Sequence, residues 1–376
     1  MDFARNEDLE AIAGLAGQIF GSLAEPERVV QVETGENGFD RTLWTTLAES
    51  GLLGIALPES VGGAEQGMLG LVALLEEQGK RVAPVPLWPV LAGAALPLAH
   101  FGSEDQISRW LPGLVEGTSL LIAAFETAPG QDIPVLALRK GDTLVVSGEI
   151  AAVPSAAVAD GIVMPVRCED GSVVVAVVPT GAAGLTVIPL DVTSHESAGV
   201  VRFDEVEIPV TDQLAGDGDE ITAWVRRRLR IAVAALQLGV CEEALRMTAA
   251  YTSERVQFGR PLSTNQAVAV RAADAYLDTE SIRLTTQRAA WLLDEGREDE
   301  AESASLVAKW WAARGGLRVV HATQHLHGGI GADVDYPIHR YFLWGRQCAF
   351  TLGSADAVAA ELGAQLHTAP PIGAPT

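Results

Sequence analysis

The stretch Glu254–Val268, ERVQFGRPLSTNQAV, ends one long helical pattern and opens another. Its Gly and Pro punctuate the chain where neither helix could continue, so a turn joins two long helices here. Two readings of the turn are open. Arg255 offers a fork of donors suited to a pyrophosphate and Phe258 an aromatic face. Alternatively the segment is an ordinary helix connection, with Ser263 and Gln266 as a capping box and Phe258 as a staple-like core contact.

Downstream, Gln324–Phe342 reads QHLHGGIGADVDYPIHRYF. Gly328, Gly329 and Gly331 let a backbone approach a ligand closely, although a helix end and turn would use the same glycines. His321, His325, His327 and His339 invite a metal reading, but no Cys or carboxylate stands at ligand spacing beside them. Between the two motifs and beyond them the pattern is helical, with Leu306 and Trp310 four residues apart on one apolar face.

Upstream the period changes. TLVVSGEIAAV, GIVMPVR, SVVVAVVPT and GVVRFDEVEIPV are short β-branched runs parted by Gly, Asp and Pro, which predicts a small, mostly antiparallel β domain. Before it the pattern is helical again. Asp40 is placed to cap a helix carrying Phe39, Leu43 and Leu47, and Gly51 to end it. The expected order is α+β: an N-terminal helical domain (1–118), a middle antiparallel β domain (119–218), a C-terminal four-helix bundle (219–367) and a disordered tail (368–376).

Composition bounds the rest. The chain has 376 residues, 48% of them hydrophobic and 20% charged, as a globular protein with a sizeable core does. No apolar run spans a bilayer and the first residues carry acids, unlike a signal peptide, so a cytoplasmic location with no membrane partner is the default expectation. A formal net charge of −23 argues against nucleic acid as a partner. Cys168, Cys241 and Cys348 are far apart and read as small buried hydrophobes. In so acidic a chain the cluster Arg226, Arg227, Arg228 and Arg230 stands out; it could meet phosphates, a partner's acids or the chain's own carboxylates.

Taken together, RxQFGRPLxxxQ, HGGIG and YPxxR resemble the acyl-CoA dehydrogenase family, and GLLGIALPESVGG and VVRFDEVEIPV extend the likeness over nearly the whole chain. The resemblance implies helical, β and four-helix-bundle domains, with FAD in the cleft between the β domain and the bundle. It also implies a cofactor site completed by an adjacent subunit, and an external electron acceptor for the reduced flavin. Family chemistry needs a glutamate that takes the α-proton of an acyl-CoA thioester while a hydride leaves the β-carbon. Counting forward from Tyr336 and Pro337 puts Leu352 at the usual glutamate position, before Gly353 and Ser354. Counting back from Arg255 puts Leu229 at the alternative one. Leucine accepts no proton, so no catalytic residue of this kind is expected.

The β domain departs from the family in the same sense. FETAPGQD, Phe125 to Asp132, matches the flavin-holding TEPxAGSD segment only in part. Ala152 stands where the resemblance implies a flavin-stacking tryptophan, and Pro154 where it implies a threonine bonding N5. What matches is the half of the site that serves a neighbour. Arg255, Gln257, Phe258 and Gln266 correspond to residues reaching the adenosine diphosphate part of an adjacent FAD, and Gly328 and Gly329 to the other such element. Ser354 keeps the Gly-Ser step, and His325 replaces the usual glutamine. The implied role is a partner subunit sharing FAD with a homologous catalytic subunit that binds most of the acyl-CoA. This resembles the α2β2 acyl-CoA dehydrogenases of actinobacteria acting on steroid side-chain CoA thioesters. Two alternatives stand beside it: a self-sufficient flavoenzyme such as a hydroxylase, using Asp356 or Glu254, and a non-enzymatic structural paralogue.

Overall fold

The computed structural model describes residues 3–35, 37–126 and 132–368. Among the described residues, six α-helices precede the sheet: α1 (Glu7–Leu23), α2 (Pro26–Gly35), α3 (Arg41–Glu49), α4 (Gly67–Arg81), α5 (Leu96–Phe101) and α6 (Glu104–Val115). Asp40 caps α3 as expected, accepting from Leu43 N at 3.0 Å, and Phe39, Leu43 and Leu47 are all buried. Gly51, just past the end of α3, takes a φ of 73°. The alanine-rich run is less regular than its composition suggests. Trp88–Ala95 winds as a π-helix, wholly buried, directly before α5.

The sheet runs β1 (Leu121–Ala123), β2 (Val135–Lys140), β3 (Thr143–Pro154), β4 (Gly161–Cys168), β5 (Val173–Pro179), β6 (Leu185–Pro189) and β7 (Ala198–Pro209). Its order is β1-β4-β2-β3-β7-β6, with β5 also paired to β4. The expectation of a mostly antiparallel sheet needs one refinement. β4 lies parallel to both β1 and β2, which share one of its edges end to end, while its other edge is antiparallel to β5. A strand as short as β1 carries too little pattern to reveal its direction. Along β3 the register against β7 shifts between Ile150 and Val153, and Ala152 within that bulge takes a φ of 53°.

The bundle is built from α7 (Gly218–Glu254), α8 (Gln266–Asp294), α9 (Glu298–His327) and α10 (Ile338–Phe350), with α11 (Ala355–Thr368) packed on α9. α7 has 37 residues and is the spine of the molecule, about 55 Å long at the helical rise. Its start at Gly218 is fixed by Asp217, which accepts from both Asp219 N and Glu220 N. α4 crosses it backbone to backbone: a Cβ on Gly79 would lie 2.2 Å from Leu236 O, and one on Gly239 would lie 1.9 Å from Glu76 O. α11 runs to Thr368, and the tail beyond it lies outside the described residues. All three cysteines are buried. Among the described residues no helix is long and apolar enough to cross a membrane.

Candidate functional site

The turn that parts α7 from α8 is a tight hairpin. β8 (Val256–Gln257) pairs antiparallel with β9 (Arg260–Pro261), and Phe258 (φ 55°) and Gly259 (φ 79°) form the two-residue loop. Two positive φ values match the twist of a hairpin. They also lift the Phe258 ring off the protein, leaving it 93% exposed. Phe258 is therefore not a staple-like core contact. Nor is there a capping box: α8 starts at Gln266 behind Asn265, with no side-chain cap. Arg255, Gln257 and Gln266 are exposed beside Phe258.

The glycine loop lies next to this hairpin. Tyr251, one turn before Arg255, stacks on His327 at 4.6 Å between ring centroids. His327 Nδ1 donates to Thr323 O at 2.8 Å, while its buried Nε2 meets no partner. Gly328 has a φ of 67°, and no atom of the chain comes within 4 Å of a Cβ built on Gly328 or Gly329. The loop is thus open on the side where a close backbone approach is expected. Gly331 is different: a Cβ there would meet Gln324 O at 2.4 Å, and Gln324 Nε2 closes the loop on Gly331 O. Gln324 is therefore used internally, and His325 is the exposed residue of the pair. Among the described residues no group of three or more His, Cys, Asp or Glu is placed to hold a metal ion.

Leu229, Leu352, Ala152 and Pro154, far apart in sequence, line one cavity together with Trp88, Phe125, Glu126 and Ile150. Its volume is about 10 Å³, room for roughly one water at most. An adjoining cavity of about 130 Å³ shares Trp88, Glu126, Ala152 and Pro154 and extends to Glu196, Gln347 and Thr351. Both are smaller than the ~300 Å³ at which ligand pockets usually begin. Leu229 is the filler: it is 1% exposed, and its Cδ2 lies 2.8 Å from where a Cβ on Gly93 of the π-helix would stand. Asp356 and Glu254 line neither cavity and are exposed.

Two charged groups at this cavity escaped sequence reasoning. Burial raises the Glu126 carboxyl above its usual range, against the Leu352 N–H that it accepts and the nearby charges of Lys309 and Arg226. Of the FETAPGQD segment, residues 127–131 lie outside the described residues, so Glu126 is its informative member. Lys309 is fully buried and donates to Ala349 O at 3.2 Å and Gly353 O at 2.9 Å, on either side of Leu352. Leu352 itself has a φ of 59°, and Ser354 Oγ accepts from Ala357 N as the cap of α11. Ser354 thus sits at this turn, with Leu352, and not with the hairpin and glycine loop.

Three members of the arginine cluster are committed to the chain's own acids, while Arg226 donates to Phe125 O at 3.3 Å. Arg227 lies 3.0 Å from Glu298 and 2.9 Å from Glu302, Arg228 pairs with Glu298 at 2.6 Å, and Arg230 with Glu302 at 2.9 Å and with Glu361. Arg228 and Arg230 are buried, and Arg228 lies over the Trp224 ring.

Residues 7–118 match the family model for the acyl-CoA dehydrogenase N-terminal domain, and residues 216–366 that for the C-terminal domain. The chain is 35% identical to acyl-CoA dehydrogenase FadE27 of Mycobacterium tuberculosis, over 98% of this chain and 100% of the relative. Two solved structures are similar along their whole length. A variant of the Tcur3481-Tcur3483 steroid ACAD gives a TM-score of 0.90 at 45% identity, covering 96% of this chain and 98% of that one. The ChsE4-ChsE5 complex from Mycobacterium tuberculosis gives 0.93 at 35% identity, covering 98% and 100%.

Proposed function

The chain belongs to the acyl-CoA dehydrogenase family, and from that premise we propose that it is the base-lacking partner of a homologous catalytic subunit in a heteromeric, FAD-dependent enzyme. One contrast carries the reading. The cavity lined by Leu229, Leu352, Ala152 and Pro154 is too small for a flavin ring. The residues matching the neighbour-serving half are instead exposed and lie side by side. Loss of function without selection has no reason to sort residues by whose site they serve.

FAD, when bound in the partner, supplies the hydride acceptor for α,β-desaturation of an acyl-CoA thioester. The work of this chain is binding. Arg255 and Gln257 supply donors for the diphosphate, Phe258 an apolar face, Gln266 a further polar contact, and Gly328 and Gly329 an open backbone. Ser354, engaged as the α11 cap, is not assigned to that half. The α-proton acceptor and most of the acyl-CoA contacts belong to the partner, and an electron-transfer protein reoxidises the flavin. Likeness to the ChsE4-ChsE5 complex supports an assembly of two kinds of chain, and likeness to the Tcur3481-Tcur3483 steroid ACAD supports a steroid-derived acyl-CoA as substrate; an α2β2 stoichiometry and a side-chain thioester complete the proposal.

Flavin content tests this. The chain is purified alone and after coexpression with the homologous subunit encoded beside it. The expected result is a lone chain without stoichiometric FAD and a complex that retains it and desaturates acyl-CoA. A homomeric preparation with one flavin per chain and full dehydrogenase activity would refute the proposal.

A further inference from the structure

Outside both motifs, on α8, stands an arginine that joins them. Arg271 is exposed, five residues beyond Gln266, and its Nη1 lies 3.1 Å from Nδ1 of His325. It lines the surface groove of about 390 Å³ that also holds Gln266, Ala267, Val270 and Asp274. It lines the adjacent groove of about 520 Å³ as well, with Asp278, Arg318 and His321. A guanidinium only donates, so His325 accepts at Nδ1 in this contact. This bond uses one of five guanidinium donors and neutralises none of the charge.

In a chain of net charge −23, the neighbouring Arg318 is held by Asp278 through Nε at 2.8 Å and through a second, shorter contact. Arg227, Arg228 and Arg230 are held by carboxylates too. Among the described residues Arg271 has no carboxylate within ion-pair distance, although Asp274 shares its groove. It is thus a positioned, exposed and uncompensated guanidinium between Gln266 and the glycine loop.

We propose that Arg271, propped by His325, is an additional contact for the diphosphate of the FAD held by the partner. It would add a side-chain contact beside His325, which stands where the family has glutamine and whose Nδ1 is engaged by Arg271. The inference rests on the shared-site reading above and adds a residue to it. Adenosine diphosphate occurs in both FAD and coenzyme A, so the test separates the two.

In the purified complex, Arg271→Gln is expected to weaken FAD retention about tenfold to a hundredfold, as loss of a charge-assisted contact does. Arg271→Lys should recover part of it, and the salt dependence of FAD binding should flatten. In a His325→Gln background, which restores the family residue, the effect of Arg271→Gln should shrink. Subunit mass and melting curve serve as controls, since Arg271 is exposed. Unchanged FAD affinity in Arg271→Gln alongside weakened affinity in Arg255→Gln would overturn this assignment and leave the shared site standing. Unchanged affinity in both, or failure of any complex to form, would overturn both. A raised KM for acyl-CoA with FAD affinity intact would move the contact to coenzyme A and overturn the assignment to flavin.

Discussion

Lys309→Met isolates the buried ammonium that grips the turn between α10 and α11. Burial brings the Lys309 pKa down to about 8 from its ordinary 10.5. The unfolded chain therefore holds this proton up to about pH 10.5, while the folded chain releases it from about pH 8. Between those values the unfolded state binds more protons, so this residue makes stability rise with pH. The two pKa values differ by about 2.5, worth about 3 kcal/mol at roughly 1.4 kcal/mol per pH unit. Methionine keeps the length and removes both the titration and the donor. At pH 7 the variant should lose about 1–3 kcal/mol for the unpaired Ala349 and Gly353 carbonyls. Urea unfolding followed by tryptophan fluorescence, in steps from pH 7 to 10.5, gives the difference between the two proteins. Other groups titrate in both and cancel, so the wild-type advantage should widen by about 3 kcal/mol across that window. Parallel profiles would refute the reasoning, and so would a gap that narrows with pH.

Gly239→Ala should destabilise by at least about 3 kcal/mol, because a methyl 1.9 Å from Glu76 O cannot be accommodated by two backbones already in contact; the urea midpoint reads it. Asp294 accepts from Met68 N at 2.6 Å and Leu69 N at 2.9 Å, so it caps α4 from the far end of α8. Asp294→Ala should cost about 1–2 kcal/mol, with hydrogen exchange accelerated in the first turn of α4. Leu352→Glu should give no dehydrogenase activity to the isolated chain, since a carboxylate there meets Ala152 and Pro154 and no flavin; measurable turnover by that variant would contradict the proposed division of labour.

The α+β order was legible because the apolar period changes from helical to alternating and back, and periodicity is local. Gap-free counting from YP and from Arg255 was enough to reach Leu352 and Leu229, which the fold brings to one cavity with Ala152 and Pro154. Residues whose meaning depends on distant backbone were invisible. Lys309 reads as an ordinary surface charge in AKWWAAR, and only the packing of α9 on α10 buries it. Glu126 lay in a segment read only for its partial match to a flavin-holding motif. Arg271 shows its part only once α8 lies beside the glycine loop. The direction of β1 and the bulge at Ala152 likewise depend on partners remote in sequence.

The contact of Leu229 with the π-helix has a consequence for any change at position 229. Gly93 offers no room for even one more carbon beside Leu229 and Ala123, so the two elements have settled against each other around the leucine. A carboxylate returned to position 229 would be buried against those apolar neighbours at considerable cost. Pro154 and the bulged Ala152 would still have to change before a flavin ring could enter. A change at position 229 alone would therefore leave the cavity closed at Ala152 and Pro154. On the shared-site reading, the chain depends on a second subunit for the flavin ring, and a change at position 229 alone would not release it from that dependence.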